Sequence, residues 1–171
     1  GRLDFDVIRN GKDIGDHSYS FTGNPADLTV KVHTDVAVKL PLVRINVYSF
    51  THVSTETWKN GKPAGLSSTT DDDGTPNKLA LGTVAALPAS LWSNDIAGQT
   101  RLLNTIDGHV MAVKVADLGA EQVQVAGGKV KAEHYRISGE LARDVWYDDA
   151  GLLARLVMTA DDGSIVTYVR K

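Results

Sequence analysis

From Leu28 to Leu40 apolar and polar residues alternate with a period of two: Leu28, Val30, Val32, Val36, Val38 and Leu40 fall on one side, Thr29, Lys31, His33, Asp35 and Lys39 on the other. Successive side chains of a strand point to opposite faces, so this pattern predicts a strand with one buried and one wet face. Pro41 is expected to end it, because proline cannot donate to a sheet ladder. The run from Arg44 to Lys59 is as long. Strands beyond the usual length twist and coil, which favours a curved roll or barrel over a small flat sandwich.

Short turn signals separate such runs. Asn10-Gly11, Asn60-Gly61, Asp107-Gly108, Gly127-Gly128 and Asp162-Gly163 each lie between segments rich in Val, Ile, Thr and aromatics. Glycine and asparagine tolerate the positive φ that two-residue type I′ turns require. The expectation is an all-β, antiparallel meander forming one β-rich domain over residues 1–171. Asp71 to Lys78 reads as a polar loop. Leu87 to Leu103 breaks the alternation, and one or two short helices are expected there, with Pro88 opening the first and Asn94 or Asp95 capping a second.

Composition narrows the chemistry. There is no cysteine among the 171 residues, which removes disulfides, thiolate catalysis and cysteine metal sites. A net charge of -3 gives no electrostatic reason to bind nucleic acid or an anionic membrane surface. No apolar run approaches transmembrane length, so a soluble chain is expected. Gly1 stands where a methionine would, and is taken as the point where an upstream segment, expected to be a signal peptide, was removed.

The phrases LDFDVIRNGKDIG, THVSTETWKNGKPAGLSSTTDDDG, SLWSNDIAGQTRLLNTIDG and VKAEHYRISGELARDVWYDDAGLLARL together resemble an exported bacterial family known as domain of unknown function 6134. The resemblance spans nearly the whole chain. It implies a periplasmic or otherwise exported β-rich domain, and brings no activity and no catalytic residues with it. Between Lys78 and Leu87 this chain is shorter than the family pattern, in which another strand pair is expected.

No G-x-S-x-G, phosphate loop or H-E-x-x-H occurs. The five histidines, His17, His33, His52, His109 and His134, are scattered without ligand spacing, so neither a metal nor a cofactor is expected. The hairpin at Asn60-Gly61 holds the candidate site. Tyr48, Phe50, His52, Ser54, Glu56 and Trp58 share one face of the strand before the turn. A two-residue turn would place Phe50 opposite Asp71, His52 opposite Thr69 and Glu56 opposite Gly65. Tyr48, Phe50, His52, Glu56, Trp58 and Asp71 then form an apolar face with converging polar groups, as a small-molecule pocket needs. The competing account is plain cross-strand packing, which is the commoner fate of such residues. A second candidate pairs Asp4 with His17 across the Asn10-Gly11 turn, with Asp6 and Tyr19 on the same face. A carboxylate–imidazole pair can orient a general base, though it is more often an ion pair. Trp92 is expected to plug the end of the roll, and Trp146 to anchor the core or its rim.

Three functions fit these features. The leading one is an exported, non-enzymatic roll binding an apolar or amphipathic small molecule. The others are an acid–base enzyme using His52, Glu56 and Asp71, and a structural or interaction module of the envelope without a cavity. The state of the interior separates them.

Overall fold

The computed structural model describes residues 1–40, 42 and 45–171. Thirteen strands form a sheet in the order β6-β5-β4-β3-β2-β1-β13-β12-β11-β10-β9-β8-β7. The first six run along the chain as β1 (Arg2–Arg9), β2 (Lys12–Asn24), β3 (Asp27–Lys39), β4 (Asn46–Lys59), β5 (Lys62–Asp72) and β6 (Thr75–Leu81). Two short strands follow, β7 (Leu87–Pro88) and β8 (Arg101–Leu103). The last five are β9 (Val110–Val125), β10 (Gly128–Gly139), β11 (Arg143–Tyr147), β12 (Leu153–Thr159) and β13 (Ile165–Arg170). All neighbours pair antiparallel except β7 with β8, which are parallel over two residues. The sheet is the expected meander curled into a roll, with β13 returning to pair β1.

Two of the five expected turns are two-residue turns at the expected pair. Asp107-Gly108 lies in the six-residue connection 104–109, Asp162-Gly163 in the five-residue connection 160–164, and at Gly127-Gly128 the turn is Ala126-Gly127, with Gly128 already paired to Val125. At Asn10-Gly11 and Asn60-Gly61 both φ values are positive, and the flanking residues pair directly, Arg9 with Lys12 and Lys59 with Lys62. The expected polar loop at Asp71 to Lys78 is instead a third tight hairpin: Asp73 and Gly74 take positive φ, and Asp72 pairs with Thr75. An Asp-Gly pair meets the same steric demand as Asn-Gly, and Asp71 Oδ1 accepts the Gly74 N–H at 2.7 Å. The strand so formed, β6, lies where the sequence showed only loop, and residues 82–86 lead directly into β7 without a further strand pair.

The faces of β3 match the alternation. Val30, Val32 and Val36 are buried, Val38 is half-buried, and Lys31, His33 and Lys39 are exposed. Thr34 continues the inner row. The expected stop at Pro41 and the start of the next run at Arg44 lie outside the described residues.

The Leu87–Leu103 segment carries no α-helix. Pro88 sits in β7, and the remaining helical character is one 3-10 turn, Asn94–Ile96, capped by Ser93 rather than by Asn94 or Asp95. The Ser93 hydroxyl takes the cap because it accepts from the Asp95 N–H while also bonding the Asp95 carboxylate. The segment nevertheless closes one end of the roll. Leu91, Ile96 and Leu102 are buried with Phe5, Tyr19, Trp58, Met111 and Tyr147 in the main core. Tyr19 donates its hydroxyl proton to the Ser90 carbonyl at 2.6 Å, and Tyr147 donates to the Leu91 carbonyl at 3.2 Å.

A second core lies on the outside. At Leu118 an extra residue in β9 shifts the β9–β10 register, and Gly119 takes φ +87. Beyond that bulge the hairpin folds back over β11, β12 and β13. Val123, Val125 and Ala132 bury against Trp146 and Ala154, while the Ala126 N–H donates to the Arg170 carbonyl at 2.8 Å. Trp146 therefore anchors the outer core, with His134 stacked on its ring at 4.1 Å.

The two ends of the sheet meet without a ladder. Residues 104–109, between β8 and β9, rest on the inner face of β5 and β6. The Ser68 hydroxyl donates to the Thr105 carbonyl at 2.6 Å, Asn77 Nδ2 donates to the Ile106 carbonyl, and Gly108 lies against Leu79 and Leu81. Among the described residues, no helix is long and apolar enough to cross a membrane.

Candidate functional site

The roll is packed at the end covered by Leu87–Leu103 and hollow at the other. The hollow is a cavity of about 620 Å³. Its wall is mainly apolar, with Val7, Ile14, Val32, Val36, Phe50, Leu156, Met158 and Val166 contributed by β1, β2, β3, β4, β12 and β13. Ser90, Leu91, Thr105 and Ile106 form its floor and seam. Val38, Val47, Tyr48, Arg9, Asp161 and Asp162 stand around the open end.

Strand β4 delivers the expected face, divided by depth. Tyr48, Phe50 and His52 line the cavity, with Tyr48 at its mouth donating to Asp72 Oδ1 at 2.7 Å. Burial and the neighbouring Asp72 carboxylate push the Tyr48 phenol far above its ordinary value. Glu56 and Trp58 point inward as well, but into the packed half. Glu56 is fully buried, and its Oε2 accepts from Trp58 Nε1 at 2.9 Å and from Trp92 Nε1 at 3.3 Å. Its Oε1 has no hydrogen-bond partner among the described residues. Burial raises the Glu56 carboxyl above its usual range, against the lowering effect of the nearby Ser90 and of the hydrogen bonds from the Trp58 and Trp92 indoles. Trp92 thus does plug the roll, and Glu56 ties that plug to β4.

Asp71 does not join the site. Ala64 is an extra residue in β5, so the register slips beyond Trp58–Pro63: Glu56 pairs with Leu66, His52 with Thr70 and Phe50 with Asp72. One residue of slip moves every side chain to the other face. Asp71 therefore points outward, and Asp72 takes its place beside Phe50. The same event undoes the second candidate. Ile14 is an extra residue in β2, so His17 pairs with Phe5, while Asp4 faces Ser18 and binds Arg2 at 2.8 Å on the outer surface. Asp6 also faces out, to Lys171 at 2.9 Å.

The slip in β2 puts His17 in the interior row that already holds Thr34 and His52, and the slip in β5 adds Thr70 to it. Thr34 pairs with His17 on one side and with His52 on the other, and Thr70 pairs with His52 beyond. His17 Nδ1 lies 2.7 Å from Thr34 Oγ1, and His52 Nδ1 lies 2.8 Å from Thr70 Oγ1. His17 packs between Phe5, Tyr19 and Tyr168. Burial, reinforced by His52 and His33, lowers the His17 imidazole to about 3. Burial lowers His52 too. Both rings are neutral at physiological pH and sit among hydroxyls, and among the described residues no carboxylate is in hydrogen-bond contact to orient them as bases.

Arg143, Tyr168, Met158 and His17 complete the wall, yet the sequence marked none of them as one site with Tyr48, Phe50 and His52. Alternation in β12 and β13 was the available signal for which residues face inward. It could not give their height along the roll. Among the described residues no group of three or more His, Asp or Glu side chains is placed to hold a metal ion.

The fold and cavity define a class: a β-barrel-like roll, solid at one end and hollow at the other. The chain belongs to the family called domain of unknown function DUF6134, whose sequence profile matches residues 5–171. None of the curated proteins matches it. Among solved structures it is similar to a β-barrel-like protein of domain of unknown function DUF1849 from Brucella abortus, with a TM-score of 0.57 and 13% sequence identity. That similarity covers 98% of this chain and 94% of the other, and speaks for the fold alone.

Proposed function

We propose that this domain binds an apolar or amphipathic small molecule inside the roll and performs no catalysis on it. The observation that carries the reading is the cavity of about 620 Å³, open at one end and walled by valine, phenylalanine and methionine. Protein interiors are close-packed, so an apolar void of this size is a feature that folding alone would fill. Its volume falls in the range of about 300–1,000 Å³ typical of ligand sites. The acid–base reading loses its trio, since Asp71 faces outward and Glu56 is sealed beneath two indoles. The proposed setting is the bacterial envelope, the address that the family resemblance implies, and fractionation of the producing cells tests it.

The neutral dye N-phenyl-1-naphthylamine provides the binding test. Its fluorescence should rise saturably on titration, at one dye per chain. Met158→Trp, which places an indole in the cavity wall, should weaken binding by at least about tenfold while leaving the melting temperature equal or higher, as cavity filling does. Absence of saturable binding, or equal binding by the filled variant, would overturn the reading.

A further inference from the structure

Arg143 is the exception in the cavity wall. The other guanidinium there, Arg9, is neutralised by Asp162 at 2.9 Å. Arg143 has no carboxylate within 4 Å among the described residues. Among the described residues its one hydrogen bond goes to the adjacent Ala142 carbonyl, at 2.7 Å. A guanidinium carries five N–H donors in a planar fork, so most of this group is unmatched by protein. The acids nearest the mouth, Asp161 and Asp162, stand at the exposed rim.

The cost of holding Arg143 there is visible in its environment. Burial disfavours its charge, and Tyr168, another cavity residue, carries a phenol that burial keeps protonated and uncharged. Arg143 enters the interior because the alternation of β11 requires it: Val145 and Tyr147 are buried in the main core, and Arg143 shares their face. An arginine retained on that face, beside an apolar hollow and without a counter-ion, lacks only an anion. Planar oxyanions match its fork in two parallel hydrogen bonds.

We propose that the ligand is a single-chain amphiphile with an oxyanion head, paired by Arg143 and Tyr168 while the tail lies along Val36, Phe50, Met158 and Val166. This rests on the reading of the cavity as a binding site and specifies what enters it. Carboxylate and phosphate heads share the required chemistry, and the carboxylate is the better match to a bidentate fork in a wall with one unpaired cation.

Displacement of N-phenyl-1-naphthylamine by oleate, oleyl phosphate and oleyl alcohol, all below their aggregation limits, separates the possibilities. On the unmodified protein, oleate should displace the dye at least about tenfold more effectively than the alcohol, the factor that one charge-assisted hydrogen bond supplies. Arg143→Gln should bind the dye as before and lose the preference for oleate, and Arg143→Lys should regain part of it. An advantage of oleyl phosphate over oleate would assign the head as a phosphate. Equal displacement by oleate and the alcohol would overturn the anionic head while leaving the cavity reading intact, and this comparison needs no variant to fold. Persistence of the oleate preference in Arg143→Gln would overturn the role of Arg143. No dye binding at all would remove the cavity reading itself.

Discussion

His17 and His52 carry a pH dependence whose sign follows from burial. Above about 6.5, the ordinary histidine value, both are neutral folded or unfolded and stability is complete. As pH falls below that value the unfolded chain takes up protons, whereas folded His17 resists until about 3. Stability is therefore lost progressively between 6.5 and about 3, with His52 adding in the same direction. Glu56 acts oppositely: its raised carboxyl contributes fully below the unfolded value of 4.5 and loses its contribution as pH rises from there toward the folded value. Urea midpoints measured from pH 4 to 8 should fall toward acid, and His17→Gln should flatten that fall. Glu56→Gln keeps an acceptor for the two indoles and cannot ionise. It should raise the midpoint at pH 8 relative to pH 5, compared with the unmodified chain, and no change in that difference would mean the carboxyl titrates normally.

The elements turn on two bulges that share a sequence. Asn10-Gly11-Lys12-Asp13-Ile14-Gly15 and Asn60-Gly61-Lys62-Pro63-Ala64-Gly65 have the same pattern, N-G-K-x-x-G, and each places its extra residue just before the second glycine. At Gly15 the reason is steric. Its φ is +148, and an added Cβ would lie 2.0 Å from the Asp35 carbonyl oxygen. Gly15→Ala should cost at least ~2 kcal/mol in a denaturant titration, from backbone strain and the clash together. A cost below 0.5 kcal/mol, the ordinary range for a surface change, would show that another residue sets the bulge. These bulges mark how far the sequence could be read. The strands, their faces near each turn and the curl were legible, because Asn-Gly turns and period-two alternation are local. The partners of His52 and His17 were misplaced by one residue, since a bulge is a local departure with distant effect. The repeated N-G-K-x-x-G was the clue to it. The helices expected between Leu87 and Leu103 failed for a different reason: Pro88 and the polar residues after it suit a helix start as well as they suit irregular chain pinned by Tyr19 and Tyr147. The set of residues around the cavity was not legible, because strands from both halves of the chain supply it.

At the scale of the whole molecule, the roll differs from a closed barrel at the junction of β6 with residues 104–109. Strand β6 has ladder bonds on one side only, to β5, and its inner face is held by side chains. Amide exchange followed by mass spectrometry should therefore show β6 and residues 104–109 exchanging before β2 and β3, which are paired on both sides. Uniform protection across these segments would contradict it. In a closed barrel, strand number and stagger fix the diameter once and for all. Here the bore is set by how far one margin of the sheet laps over the other. That overlap is fastened at Ser68, Asn77 and Gly108 rather than along a whole strand. Girth here follows from the lap of two margins, so a shift of that lap would alter the bore without breaking a single rung of the ladder.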